Sequence, residues 1–216
     1  MSEPSKKIKK RRITVGVLAL VLVVAGAGFW VWHEQPSFCG AVCHTPMDPY
    51  LANYDAEPGQ ASFDKYGNTV DDANAMMAIA HKDENVACLN CHEPTIAEQL
   101  SEGAHWVSGD YEYPLNERSL SDLTEARGAT ADEFCLNESC HHVSSNGTEI
   151  TSREDLTAIT SHLARNPHEA HHLEEDCGTC HKGHRASVNY CSRCHDDTEL
   201  PSGWIDWETY EELRTI

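Results

Sequence analysis

The stretch CGTCHKGHRASVNYCSRCH, residues 177–195, decides how this chain folds. It contains two copies of the pattern Cys-x-x-Cys-His, the first ending at His181 and the second at His195. This pattern is the attachment signature of c-type haem, because two thiols one turn apart can form thioethers to one porphyrin and the next histidine can bind its iron. Two haems are therefore expected close together, and His184, between the two units, could reach an iron from the opposite face.

Three further cysteine pairs also carry a histidine directly after the second cysteine, one with the standard spacing and two with longer gaps. The predicted attachment residues are all ten cysteines: Cys39, Cys43, Cys88, Cys91, Cys135, Cys140, Cys177, Cys180, Cys191 and Cys194. The predicted proximal iron ligands are His44, His92, His141, His181 and His195. Disulfides or zinc sites are the alternatives, but neither requires a histidine after every second cysteine. The sequence thus predicts five covalently attached haems c, two of them through expanded motifs.

The composition of the 216-residue chain limits what else could hold a fold together. Aromatic residues make up only 7% of the chain. A polypeptide this polar would bury little apolar area by itself. Five porphyrins would supply much of the interior and link the loops covalently, and we expect no stable fold without them. The formal net charge of −19 excludes nucleic acid as a partner. It favours a basic docking face on a redox partner, although an acidic solvated surface would give the same composition.

An uncharged segment, residues 13–32, is long enough to cross a bilayer as one helix. Residues 1–12 form a basic tail, which predicts a cytoplasmic amino end and an extracytoplasmic haem domain at the cell membrane. A cleaved signal peptide is the competing interpretation. We prefer a retained single-pass anchor because the apolar run is longer than an ordinary signal segment. The first haem would then lie at the bilayer surface, where a quinol confined to the membrane could reach it.

The predicted fold class is mainly α-helical with extensive loops and little or no β-structure. After the anchor we divide the chain into residues 33–130, with haems 1 and 2, and residues 131–216, with haems 3 to 5 and the carboxyl tail. The secondary structure of residues 93–130 is not predicted, because this acidic region has no clear periodicity.

Three helices are predicted from local patterns. Residues 71–80, DDANAMMAIA, form a helical pattern that leads into a histidine. The capping box Thr151–Glu154 opens a second helix, which we expect to stop before Pro167. The tail from Trp204 to Leu213 reads as a short amphipathic helix that packs against the haem domain.

A second axial ligand decides whether each haem transfers electrons or binds small molecules. Histidine on both sides saturates the iron and suits electron transfer, and we expect His81 among these distal ligands. The histidines available for this role are His81, His105, His142, His162, His168, His171, His172 and His184. Met47, which closely follows His44, is a candidate axial ligand for haem 1, with a packing methionine as the alternative.

The segments PSFCGAVCHTPM and AHKDENVACLNCH follow the anchor. Together with it they resemble the NapC/NirT family of membrane-anchored quinol-oxidising cytochromes, which includes the small subunit of cytochrome c nitrite reductase. The similarity covers residues 13–100. It implies that Met47 ligates haem 1 and that a quinol site lies beside that haem. The same resemblance makes Lys82, Asp83 and Asp48 candidates for the proton chemistry of the quinol.

The segments NPHEAHH, CGTCHKGH and SVNYCSRCH occur in this order between Asn166 and Trp204. They resemble the second half of the tetrahaem domain of flavocytochrome c fumarate reductases. In that family the histidines that match His168, His171 and His184 are distal ligands, which complete bis-histidine haems. The combination is similar to small multihaem cytochromes of anaerobic respiration that feed separate flavin-dependent reductases.

We therefore expect a membrane-anchored pentahaem cytochrome that takes electrons from menaquinol and passes them to an extracytoplasmic reductase, with a flavoprotein preferred. The chain would be an electron-transfer subunit rather than a stand-alone enzyme. The first alternative is the quinol-oxidising subunit of a cytochrome c nitrite reductase. A catalytic multihaem reductase with an open haem and a disulfide-rich structural ectodomain are the others. The final acceptor and self-association stay open.

Overall fold

Helices dominate the described part of the chain, and strands occur there only as two short pairs. The computed structural model describes residues 6–43, 45–114, 116–125, 127–141, 143, 147–169 and 175–214. The predicted ligands and candidates that lie outside the described residues are His44, His142, His171 and His172. This architecture confirms the predicted fold class.

The helices and strands are short, apart from the first helix and one near the middle of the chain. The α-helices are α1 Lys6–His33, α2 Pro36–Val42, α3 Asp48–Tyr54, α4 Met77–Ala80, α5 Cys88–Cys91, α6 Ile96–Ser108, α7 Leu120–Glu125, α8 Ala131–Cys135, α9 Arg153–Ile159, α10 Cys177–Cys180 and α11 Trp207–Arg214. The strands are β1 Ser62–Phe63, antiparallel to β2 Thr69–Val70, and β3 Val188–Asn189, parallel to β4 Ile205–Asp206. Single 3-10 turns cover Thr45–Met47, Ala73–Ala75, Lys82–Glu84 and Tyr190–Arg193.

Helix α1 contains a 24-residue stretch, Lys10–His33, that is long and apolar enough to cross a membrane. Its mean hydropathy is 2.3 and none of it is buried inside the structure. The predicted anchor, residues 13–32, lies within this stretch. Side chains this apolar are stable when lipid surrounds them, so α1 could hold the chain in a membrane.

An aromatic cluster joins the end of α1 to α2. The Phe38 ring lies 5.6 Å from Phe29, 5.0 Å from Trp32 and 4.8 Å from His33, measured between ring centroids. Edge-on contacts of this kind stabilise a fixed packing angle. The first cysteine motif, which begins within α2, is therefore held close to the carboxyl end of the long apolar helix.

The predicted helix over residues 71–80 is wrong as a continuous element. A 3-10 turn and α4 are separated by Met76, whose backbone is extended, with φ −105° and ψ 119°. The reason is tertiary: the Ala75 carbonyl accepts hydrogen bonds from both the backbone N–H and the hydroxyl of Ser187, at 2.9 and 2.6 Å. The Met77 N–H donates to the Lys182 carbonyl at 2.9 Å. Met76 and Ile79 instead fill the core, with no exposed surface.

Helix α9 begins one residue later than predicted and ends earlier. Ser152 rather than Thr151 is the N-cap, and its side chain accepts from the Asp155 N–H. The amide of Asn166 donates to the Thr157 carbonyl at 2.7 Å. A longer helix would need that carbonyl for its own next turn, so the helix ends at Ile159.

The unassigned region 93–130 contains the second-longest helix described, α6. Thr95 and Glu98 form a reciprocal capping box, in which each side chain accepts a hydrogen bond from the other residue's backbone N–H, and Gly109 ends the helix with φ 72°. This T-x-x-E signal is visible in the sequence, and sequence reasoning missed it.

The carboxyl tail forms α11, and its predicted packing against the haem region is confirmed. Tyr210 is 6% exposed, and the Trp207 ring stands edge-on to Tyr190 at 5.0 Å. The Trp207 N–H also donates to the Ser192 hydroxyl at 2.7 Å. The tail therefore covers the last cysteine motif. The predicted division at residue 130 stays a prediction.

Candidate haem sites

In each described motif, the backbone N–H of the histidine donates a hydrogen bond to the carbonyl of the first cysteine. The distance is 2.8 Å from His92 to Cys88, 2.9 Å from His181 to Cys177 and 3.0 Å from His195 to Cys191. In the expanded third motif, the His141 N–H donates to the Cys135 carbonyl at 3.1 Å. The longer gap is thus absorbed in the loop, and the expanded motif closes in the same way as the standard ones.

Cysteines of the first three motifs lie near one another. Burial raises the pKa of the Cys39 thiol to about 11, and the neighbouring Cys88 thiol adds to the rise. Burial also raises the pKa of Cys91, and the Cys140 thiol contributes to it. Because such effects need short distances, motif 1 adjoins motif 2 and motif 2 adjoins motif 3.

The last three motifs continue this succession. A hydrogen bond to Cys177 raises the pKa of Cys135, and burial raises it further. Burial raises the pKa of Cys180, with a smaller contribution from Cys191. Motif 3 therefore adjoins motif 4, and motif 4 adjoins motif 5. The five motifs are neighbours in the order in which they occur along the chain.

Three motif histidines each face a second histidine from a distant part of the sequence. The ring centroids of His92 and His184 are 6.2 Å apart, and those of His181 and His168 are 6.5 Å apart with nearly parallel planes. The centroids of His141 and His81 are 5.6 Å apart. Their two Nε2 atoms are 3.4 Å apart. The structure thus brings three of the five predicted proximal ligands together with three of the predicted distal ligands.

The centroid separations fit a metal ion between two imidazoles, although the Nε2 atoms of His81 and His141, at 3.4 Å, are closer together than two opposed metal–nitrogen bonds allow. Two metal–nitrogen bonds of about 2 Å and two ring radii of about 1 Å place such centroids about 6 Å apart. His92 and His141 are solvent-exposed, yet desolvation by the surrounding protein lowers the pKa of both. A ring that is open to solvent while protein surrounds it lines a cleft, as a site for a flat cofactor requires.

The distal histidines are oriented by partners that sequence reasoning missed. Nδ1 of His81 donates to the Met77 carbonyl at 2.6 Å, and Nδ1 of His184 donates to Oδ1 of Asn53 at 3.0 Å. Nδ1 of His168 lies 3.2 Å from the Thr160 hydroxyl oxygen. With a proton held on Nδ1, the lone pair is on Nε2, and in His81 this nitrogen faces the Nε2 of His141.

The protein favours the neutral form of His184, His181 and His168, as metal ligation requires. Burial lowers the pKa of His184 to about 3 and that of His181 to about 4. Burial likewise lowers the pKa of His168. The donor set and its electrostatics therefore fit bis-histidine haems at motifs 2 and 4, and the His81–His141 pair at motif 3 would have to open slightly to admit an iron.

The remaining candidates differ in position. His105 lies on the surface, where its ring contacts the Asp110 carbonyl at 3.0 Å, and His162 is exposed beside the Ile159 carbonyl. Met47 ends the 3-10 turn that follows motif 1, and its role stays a prediction. His195 closes motif 5 as described above, and its distal partner also stays a prediction.

Comparisons with known proteins agree with this site. Residues 117–196 match the cytochrome c3 family. The chain is 52% identical, over 215 residues, to the cytochrome c-type protein Cgr1 of Eggerthella lenta, a similarity that covers 100% of this chain and 96% of that protein. It therefore belongs to the c-type cytochromes, which carry covalently bound haem and transfer electrons. No solved structure matches the chain significantly.

Proposed function

We propose that this cytochrome carries five haems c, takes electrons from menaquinol at the membrane and delivers them to an extracytoplasmic reductase. The observation that carries the proposal is the set of three facing histidine pairs, each beside a cysteine motif. Iron with both axial positions filled by histidine suits electron transfer and leaves no position for a substrate. This arrangement favours a carrier over a catalytic multihaem reductase.

The chain's own residues have three roles in this proposal. The cysteines attach the cofactors, and the paired histidines hold both axial positions of the haems at motifs 2, 3 and 4. Residues such as Asn53 and Thr160 orient the distal rings. When bound, haem supplies an iron that takes up and releases one electron. The succession of neighbouring motifs supports a continuous path from motif 1 to motif 5.

The end of the path near α1 is the proposed quinol site, with the amino end cytoplasmic and the haem domain outside. Oxidation of a quinol releases protons, so a carboxylate is expected nearby. Glu102 of α6 joins the candidates Asp48, Asp83 and Lys82. Burial raises the pKa of Glu102, and its carboxylate contributes to the raised pKa of the Cys43 thiol in motif 1.

The experiment that tests the donor uses the full chain in detergent. A menaquinol analogue is added, haem reduction is followed by absorbance, and dithionite then gives the fully reduced end point. We expect rapid reduction by the quinol analogue. A matched variant replaces Glu102 with glutamine and should slow that reduction while leaving reduction by dithionite unchanged. No reduction by quinol, in protein that accepts electrons from dithionite, would contradict the proposed donor.

The proposed acceptor is a flavin-dependent reductase with a basic docking face, in keeping with the net charge of −19. Reduced cytochrome should be reoxidised rapidly by such a flavoprotein at low ionic strength, and more slowly as salt screens the attraction. Faster reoxidation by a multihaem nitrite reductase would reverse the order of the two candidates.

A further inference from the structure

Lys65 is a buried lysine beside the pair formed by His92 and His184. It is 7% exposed and follows directly after β1 and Asp64. Its backbone N–H donates to the His184 carbonyl at 3.0 Å. The main chain therefore fixes the position of this lysine relative to the distal ligand of haem 2.

One aromatic ring separates the lysine ammonium from the imidazole. Nζ of Lys65 lies 5.6 Å from the centroid of Tyr50 and 4.9 Å from that of Tyr66. The Tyr50 ring stands edge-on to His184, with centroids 4.9 Å apart. A side chain rather than bulk water fills this space, so the field of the ammonium is weakly screened at the histidine pair.

A second buried cation, Arg185, lies beside the lysine and is paired with two carboxylates. Arg185 is 4% exposed, and its Nη1 donates to Glu117 at 3.0 Å. Its Nε lies 4.0 Å from the carboxylate of Asp64, which also accepts from two backbone N–H groups and the Asn68 amide. The two carboxylates therefore offset much of the charge of Arg185, and Lys65 is the cation that approaches the Tyr50 ring beside His184.

The field of Lys65 reaches both imidazoles. Burial is the main cause of the lowered pKa of His184, and Lys65 adds to it. Lys65 also contributes, after burial and Arg118, to the lowered pKa of His92. Burial lowers the pKa of Lys65 itself, but the Glu117 carboxylate acts in the opposite direction and favours the ammonium.

We propose that Lys65 raises the reduction potential of the haem held between His92 and His184 above the value that this haem would have without the lysine charge. The inference rests on the proposed function, which places a haem there. Reduction adds one electron to the site, and a fixed cation nearby stabilises the more negative, reduced form. Glu117 acts with the opposite sign through the same space.

The test is a redox titration of the full-length protein, followed by absorbance and by the low-spin electron paramagnetic resonance signals. Lys65→Met should lower one midpoint potential, whereas Lys65→Arg, which keeps the charge, should leave it close to that of the wild type. Glu117→Gln should raise the same potential. Arg214→Met, an exposed cation on α11 that pairs with Glu211, is the matched control and should change no midpoint.

Haem content and the signal lost in His184→Ala are measured first, because they identify the haem concerned. A wild-type protein without that haem would overturn the proposed function and this inference with it. If the haem is present and its potential is unchanged in both Lys65→Met and Glu117→Gln, the inference alone is wrong. Where Lys65→Met fails to hold haem, the upward shift expected in Glu117→Gln decides the matter.

Discussion

At the scale of the residue, the three distal histidines share one arrangement. Each has an oxygen partner at Nδ1, supplied by a backbone carbonyl, a hydroxyl or an amide, which leaves Nε2 free to bind a metal. An imidazole fixed in this tautomer needs no rearrangement before it binds iron. The second ligand is therefore oriented by the protein.

His184→Ala should open one axial position. The haem at motif 2 would stay attached through Cys88 and Cys91, so haem content should not change. One haem should become high-spin and bind carbon monoxide, as seen by absorbance. His105→Ala, which removes a surface histidine, is the control and should leave all spectra unchanged. An unaltered low-spin spectrum in His184→Ala would contradict the assignment.

Asn53→Leu should destabilise the protein by about 1–3 kcal/mol, because it leaves Nδ1 of His184 buried without an acceptor. It also removes the Asn53 amide that donates to the Phe63 carbonyl at 3.1 Å. Thermal unfolding would measure the loss. Asn74→Leu, an exposed position, should change the midpoint little. Equal midpoints for the two variants would show that Asn53 does not hold the ring.

At the scale of the elements, one bidentate ion pair ties two motifs together. Arg153 of α9 donates to both carboxylate oxygens of Asp132 in α8, at 2.6 and 2.7 Å. The same guanidinium donates to the Glu175 carbonyl, just before motif 4, at 2.6 Å. The end of α8 carries Cys135 of motif 3. Arg153 thus fixes the position of motif 3 relative to motif 4, because its planar guanidinium binds both segments at the same time.

The stability supplied by this pair should depend on pH. The hydrogen bond from Arg153 lowers the pKa of Asp132 below its usual 3.8. The ionised form is therefore favoured in the folded state, and its contribution is complete above about pH 4 and lost as the pH falls through the lowered value. Asp132→Asn should lower the free energy of unfolding by only about 1 kcal/mol at pH 7. The effect is small because about a third of the Arg153 and Asp132 side chains is exposed to solvent, which screens the pair.

Denaturant unfolding at a series of pH values would measure this difference. It should shrink towards zero in acid, because the wild-type carboxyl then becomes protonated. Asp71→Asn, at an exposed carboxylate, is the control for general acid effects. A difference that grew in acid would contradict the assigned role.

At the scale of the whole molecule, the cofactors are expected to supply much of the interior. The apolar core is small, built around Val70, Met76 and Ile79 with alanines beside them. Haems bound beside the histidine pairs would supply apolar surface that side chains supply in other domains of this size. Folding and cofactor attachment should therefore be coupled.

Replacing both Cys135 and Cys140 with alanine tests the expanded third motif. We expect haem content to fall from five to four per chain, measured by mass spectrometry of the intact protein and by the pyridine haemochrome assay. The remaining haems should be less stable to heat, since Cys135 lies beside Cys177 of motif 4. An unchanged haem content would show that this pair does not attach a cofactor. Ser139→Ala, inside the same loop, is the matched control.

The sequence alone was enough for the features that depend on near neighbours in the chain. A Cys-x-x-Cys-His unit closes within one turn, so its spacing alone identifies it. An uncharged run long enough to span a bilayer can likewise be recognised from its length and composition. Fold class followed from the same local patterns. The T-x-x-E cap of α6 was equally local, and so was the spacing of Ile96, Leu100 and Val107 along one face, although sequence reasoning used neither signal.

Only the tertiary structure decided which histidine faces which motif. His184 lies between motifs 4 and 5 in the sequence, yet it pairs with His92 of motif 2, and His81 precedes motif 2, yet it pairs with His141 of motif 3. The same long-range contacts break the predicted helix at Met76, where Ser187 takes the carbonyl of Ala75. Attachment is encoded by spacing along the chain, whereas axial pairing and the charge beside it depend on elements that meet only on folding.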